Sequence, residues 1–345
     1  MSEARCPPRF SFEHDQRQSP LFSRLPSEVR EEIFAFVLSS YDDTTRAYPK
    51  ETYWTRPGHR GPQRVSTDLL RTCKRIYTEA WFMPFIYAEH TEYLTARDRK
   101  PRSAMWSRRL QMMDADYEQL QPHLVRIFAQ LWVLEPGDRL QQTLYMLPFF
   151  PRKITLTIRY TDFWFWEDDE PLRIDATWVN KVRFPHSVSR FCIEFESIER
   201  RKNEVDYIAR EAAEKWYFRR EDGLLLIPYA GDGSVLKWTG SSCLGNQRWI
   251  RDEVRPGELD YHVRTATWRL STEHEARPLC PNLQVPDSME RGLAPYLAGP
   301  AFLSADDLRA AKIPSSVPAA EACETLEKYR EAHRSDYDTY DDSDD

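Results

Sequence analysis

The chain has 345 residues, of which 41% are hydrophobic and 30% charged, and its formal net charge is −7. That is enough apolar material for a real core in one large or two small domains. The negative balance argues against a protein that coats nucleic acid or an anionic membrane over its whole surface. No apolar run approaches the ~18–20 residues that a membrane span needs; the longest, such as Leu224-Leu225-Leu226-Ile227, are the size of a core strand. The opening MSEARCPPRFSFEHDQ has no apolar h-region, so no signal peptide is expected. Cys6, Cys73, Cys192, Cys243, Cys280 and Cys323 are far apart and form no CxxC. They read as free thiols in a reducing compartment, not as a disulfide frame or a zinc site. The expectation is a soluble intracellular protein, cytoplasmic or nuclear, with no cofactor.

Residues 1–20 are polar, carry Pro7, Pro8 and Pro20, and read as a disordered leader. A first helix is predicted from Leu25-Pro26 to about Ser39-Ser40, with Val29, Ile33, Phe36 and Val37 on one face. Pro26 suits its first turn, and Glu28, Glu31 and Glu32 sit near the positive end of its dipole. Residues 41–65 are polar and loop-like. A second helix is predicted from Ser66-Thr67-Asp68 to Pro84, with Leu69, Leu70, Cys73, Ile76, Tyr77, Ala80 and Trp81 as its apolar stripe. Phe85-Ile86-Tyr87 follows as a short apolar segment, and residues 21–94 form a helical module.

The basic run 97–109 precedes a helix predicted over 106–133, on Leu110, Met113, Tyr117, Leu120, Leu124, Ile127 and Leu131, and a shorter one over 138–147. The period then changes. Residues 153–160 (KITLTIRY) and 190–197 (RFCIEFES) alternate as half-buried strands do. A helix over 199–219 and strands over 224–229, 234–239 and 261–270 complete an α+β domain spanning 95–270, a mixed or antiparallel sheet with packed helices. Residues 271–333 are a Pro-rich segment with short helices, one capped at Ser304 and a last one over 319–333. Residues 334–345 are an acidic tail carrying six Asp.

The pair LPSEVREEIFAFVL (25–38) and STDLLRTCKRIYTEAWFMPFIY (66–87) resembles the F-box. The closer resemblance is to F-box-like proteins abundant in filamentous fungi, whose second helix reads LLRTCRQIYxEA; LLRTCKRIYTEA at 69–80 is similar to it. The match covers under a fifth of the chain. The resemblance implies an α-helical module that buries an apolar face in a Skp-type adaptor, with Leu25, Pro26, Val29, Ile33, Val37, Leu69 and Leu70 as adaptor-binding residues. It further implies that the α+β domain presents an unidentified protein target to a cullin–RING ubiquitin ligase, the chain doing no chemistry of its own.

Other signals read two ways. Of eleven Trp, seven lie between 164 and 268. They suit the face of a sheet, with Trp164 and Trp166, beside the acidic run 167–170, as candidates for an exposed cation-binding pair. Enzyme signatures are near misses. Gly231-Asp232-Gly233 lacks the third glycine of a dinucleotide loop, and Gly240-Ser241-Ser242-Cys243-Leu244-Gly245 is not a nucleophile elbow. No two of the eight His stand at metal-ligand spacing. A Cys192 dyad with His186 or His262 is the remaining catalytic candidate. The expectation is a non-enzymatic interaction adaptor. A scaffold with an internalised helix pair is the first alternative, and an enzyme with an atypical site in the Trp-rich domain, around Glu167, Asp168 or His262, the second.

Overall fold

The computed structural model describes residues 16–102, 123–146, 151–229, 231, 233–271 and 300–333. Most of the leader, the basic run beyond residue 102, the predicted helix up to 122, most of the Pro-rich stretch and the acidic tail lie outside the described residues. Among those described, no helix is long and apolar enough to cross a membrane.

The N-terminal part opens with α1 (Pro20–Ser23) and α2 (Ser27–Val37). Pro26 is the N-cap of α2: its carbonyl accepts the Arg30 N–H at 3.1 Å, and no intrahelical bond calls for an N–H at that position. The region 41–65, expected to be a loop, instead starts and ends in a two-stranded ribbon, β1 (Ser40–Asp42) against β2 (Gln63–Val65). Asp43 caps the turn after β1 by accepting the Thr45 N–H. The single helix expected from 66 to 84 is three pieces: a 3-10 turn (Asp68–Arg71), α3 (Lys74–Ala80) and α4 (Met83–Tyr87). Pro84 sits in the first turn of α4, where it starts a helix and does not end one. Phe34 of α2 and Leu38, its C-cap, meet Ile76, Ala80 and Met83 in a small separate core, with Leu69, Leu70 and Cys73 half-buried around it. Each fully buried large side chain of this kind contributes about 1.5–3 kcal/mol.

Nine of the described strands make the main sheet. In chain order they are β3 (Glu89–Leu94), β4 (Leu124–Ala129), β5 (Lys153–Ile158), β6 (Arg183–Phe184), β7 (Arg190–Ile198), β8 (Phe218–Arg220), β9 (Leu225–Pro228), β10 (Val235–Ser241) and, after the short β11 (Cys243–Leu244) and β12 (Gln247–Arg248), β13 (Glu258–Leu270). Their order is β3-β4-β5-β7-β13-β9-β8-β6, with β10 also beside β13. The sheet is mixed. β3, β4, β5 and β7 are parallel neighbours in sequence order, while β13 is antiparallel to β7, β9 and β10.

Two expectations are corrected here. Residues 124–129, assigned to the end of a helix, are β4: Val125, Ile127 and Ala129 alternate inward, and Leu124, Ile127 and Leu131 fit a helical spacing only by coincidence. β3, placed within the helical module, is a strand of the main sheet. Parallel neighbours need crossovers. α5 (Leu131–Leu134) and α6 (Asp138–Leu144) link β4 to β5, and α7 (Thr177–Lys181) lies between β5 and β7. The four parallel strands begin at residues 89, 124, 153 and 190.

The two faces of the sheet differ chemically. One carries Val125, Ile127, Ile154, Leu156, Phe191, Ile193 and Phe195, all buried. Beyond β7, α8 (Lys202–Lys215) lays Val205, Ile208, Ala209 and Ala212 on β7 and β13. The helix expected to run to 219 ends earlier, since Trp216 is already extended. Trp178, Trp216, Trp249 and Trp268 are fully buried, and Trp268 donates to the Trp216 carbonyl at 2.8 Å. Most of the tryptophan excess is therefore core. After the Pro-rich stretch, β14 (Leu303–Ser304) joins β12, and α9 (Ala305–Ala310) and α10 (Ala319–Ala332) form a third small core around Leu308, Ala322 and Leu326. Ser304 caps α9, as expected, by accepting the Asp307 N–H at 3.3 Å.

Candidate functional site

The sheet's second face is polar, and the 41–65 region covers it. Strand register puts Arg126 beside Thr155, Thr157 beside Glu194, and Tyr261 beside Trp238 on this face. Arg126 Nη1 donates to Glu194 at 2.7 Å and to Thr157 Oγ1 at 2.9 Å, and its Nε donates to Glu89 at 2.8 Å. Arg56, 4% exposed, enters from the covering segment and reaches Glu194 at 3.2 Å and Glu196 at 3.5 Å. His59 lies edge-on to the Phe128 ring at 5.0 Å, with Nε2 3.6 Å from Glu89. Tyr53 is held by Arg99, stacked 3.5 Å over its ring, and by Arg159, which donates to its carbonyl at 2.8 Å. Gly245, at φ +60°, leaves the space the Tyr53 hydroxyl occupies; a Cβ there would lie 1.8 Å from it.

Charges in this seam are set by their partners. Burial pushes Glu89 up, but His59 and the Arg126 guanidinium outweigh it and hold its carboxyl at about 2. Burial likewise raises Glu194, and Arg56 and Arg126 bring it below the ordinary carboxylate range. Glu196, fully buried, goes the other way: desolvation exceeds the help of Arg56 and Arg159 and raises it. Burial lowers His59, which is therefore neutral near pH 7. Two acids on a central strand are sustained only because cations meet them. Beside the seam, a cavity of about 360 Å³ opens between Phe85 of α4, Arg46 and His59 of the covering segment, and His90 and Thr91 of β3.

The predicted adaptor-binding residues divide. On α2, Val29, Ile33 and Val37 are 40%, 39% and 40% exposed, and Phe36 is 84% exposed. Leu25 is half-buried and Pro26 exposed. These residues form the outer face of a helix whose inner face, Phe34 and Leu38, is buried. Leu69 and Leu70 are not on that face; they pack half-buried against the inner core. Sequence periodicity finds the outer stripe but misses Phe34, which lies off it.

The other candidates are brought apart. Trp166 is buried against Trp249 at 4.4 Å, and Trp164 donates to Glu135 at 2.7 Å, so they form no exposed cation-binding pair. In the acidic run, Asp169 holds Arg200 and Arg201, and Glu167 lies 3.8 Å from Arg99. His262 sits under α8 with Nε2 2.9 Å from Asp206. Its register partner is Ser197, whereas Cys192 pairs with Thr267 on the opposite face. The two lie five residues apart along β13, roughly 16 Å, too far for a dyad. Among the described residues, no group of three or more His, Cys, Asp or Glu is arranged to hold a metal.

No family model, no curated protein and no solved structure matches the chain.

Proposed function

We propose that the chain is a protein-interaction adaptor whose N-terminal helices act as an F-box-like module and dock a Skp-type adaptor of a cullin–RING ligase. The observation that carries this is the outward apolar face of α2: Val29, Ile33, Phe36 and Val37 point to solvent although the same helix has a complete inner core. Among the described residues only Phe34 and Leu38 from this segment are buried in the small core, which leaves four large apolar residues outside it. Helix-in-groove docking uses this arrangement, with anchors at i, i+4, i+7 and i+8. Leu25 and Pro26 at the start of the helix extend the face, and Leu69 and Leu70 support it from beneath.

The test is a pair of substitutions, Val29→Asp with Ile33→Asp, in the full chain. Both positions are two-fifths exposed, so the fold is expected to survive within about 0.5 kcal/mol each. Capture by an immobilised Skp-type adaptor is expected to be lost. Capture unchanged by the double variant would remove α2 as the docking face.

A further inference from the structure

We propose that β10 is a docking edge for an extended segment of a protein partner, which adds to the sheet as a further strand. β10 shares no residue with the helical module, and its edge is open whether or not α2 binds an adaptor.

β10 pairs with β13 alone, from Val235 opposite Arg264 to Ser241 opposite Glu258. Two flanking bonds fix its parity: Thr265 N–H donates to the Ser234 carbonyl, and Ser242 N–H to the Gly257 carbonyl. Even-numbered residues therefore turn their backbone groups to β13. Val235, Lys237, Thr239 and Ser241 turn theirs outward, and among the described residues no strand takes them. The outward row spans roughly 20 Å, the length of an ordinary strand.

Native edges are blunted by proline, by bulges or by several charges. This one has a single lysine and no proline, and it shows Val235 at 47% and Leu236 at 45% exposure. Its two faces would read a partner differently. On one, Leu236 stands exposed beside Trp238, whose ring stacks on Tyr261 at 4.1 Å and is anchored through Nε1 to Glu196 at 3.2 Å. On the other are Lys237, bonded to Glu199 at 3.0 Å, and Thr239, bonded to Asp260 at 2.6 Å. An open cavity of about 370 Å³ runs along Lys237, Trp238 and Thr239. The edge thus fits an extended segment that alternates apolar with polar side chains, its main chain supplying the affinity and its apolar positions the register.

Two measurements test this. The first is residue-resolved amide exchange of the free full chain by NMR. Leu236, Trp238 and Gly240 are expected to be slow and Val235, Lys237, Thr239 and Ser241 fast; uniform protection would mean the edge is already paired and overturns the proposal. The second is selection of a displayed library of twelve-residue peptides on the full chain. Binders are expected to alternate apolar and polar residues and to slow the four outward amides. Lys237→Pro removes an outward N–H without touching the β13 ladder and is expected to weaken them at least tenfold. Lys237→Ala, which keeps that N–H, is expected to bind within twofold of the native chain. Failure to recover binders, or binders indifferent to Lys237→Pro, would overturn the proposal.

Discussion

Arg56 is the residue on which the seam turns. It is buried between two glutamates of β7 and over the Phe128 ring, and it comes from a segment that composition alone marks as loop. Arg56→Ala would leave Glu196 with Arg159 as its nearby cation and would strip Glu194 of one of its two. Breaking a buried pair by removing one partner costs about 3–5 kcal/mol; because Arg126 remains, a loss near the lower end, about 3 kcal/mol, is expected. Thermal unfolding checks this, together with faster amide exchange over residues 48–60. A change within about 0.5 kcal/mol would mean that the pair is dispensable. The same seam sets a pH dependence. His59 is held below its ordinary 6.5, so the unfolded chain takes up that proton first and stability begins to fall below pH 6.5. Glu89 and Glu194 are depressed from 4.5, so their contribution is present above pH 4.5 and is lost as pH falls through their folded values, about 2 for Glu89. Glu196 is raised and acts oppositely: its contribution is present below pH 4.5 and is lost as pH rises through its folded value. Below pH 4.5 the losses at Glu89 and Glu194 therefore oppose the gain at Glu196. Glu89→Gln should flatten the slope of melting temperature against pH below 4.5; an unchanged slope would place the acid sensitivity elsewhere.

At the scale of elements, β5, β7, β9, β13, α8 and α10 are legible because their apolar residues keep one period and their neighbours are punctuated by turns. β3 is not. Glu-His-Thr-Glu-Tyr-Leu has no apolar alternation, because one side of that strand meets Arg126, His59 and the cavity and not an apolar core. β4 is ambiguous because Leu-Val-Arg-Ile-Phe-Ala satisfies both periods, and only the β-branched Val125 and Ile127 favour a strand. The seam is half-visible: Glu194 and Glu196 alternate with Ile193 and Phe195 along a central strand, and buried carboxylates demand cations from somewhere. What no local pattern gives is that the cation comes from Arg56, 138 residues before Glu194. The α2 stripe is legible and its outward direction is not, since periodicity locates a face without saying what covers it. Trp268→Ala, which removes a fully buried ring and the bond to the Trp216 carbonyl, should cost about 3–5 kcal/mol; a melting temperature within a degree of the native chain would contradict the packing described.

At the scale of the whole molecule, the helical module and the sheet are joined twice, by chain continuity into β3 and by the 41–65 segment lying on the polar face. A truncation that begins at residue 66 would therefore strip the sheet of Arg56, His59 and Tyr53 and expose Glu194 and Glu196. Point variants on α2 test the proposed docking without undoing the fold. This joint ties α2 to the sheet through Arg56, His59 and Tyr53, so a partner docked on α2 in the proposed way would be held against the sheet domain by more than one chain connection. The most direct measurement is hydrogen exchange of the full chain with and without a purified Skp-type adaptor. Slowed exchange is expected over residues 25–38, with the 41–65 segment and β10 unchanged. No protection anywhere at micromolar adaptor, or protection confined to the sheet, would contradict it.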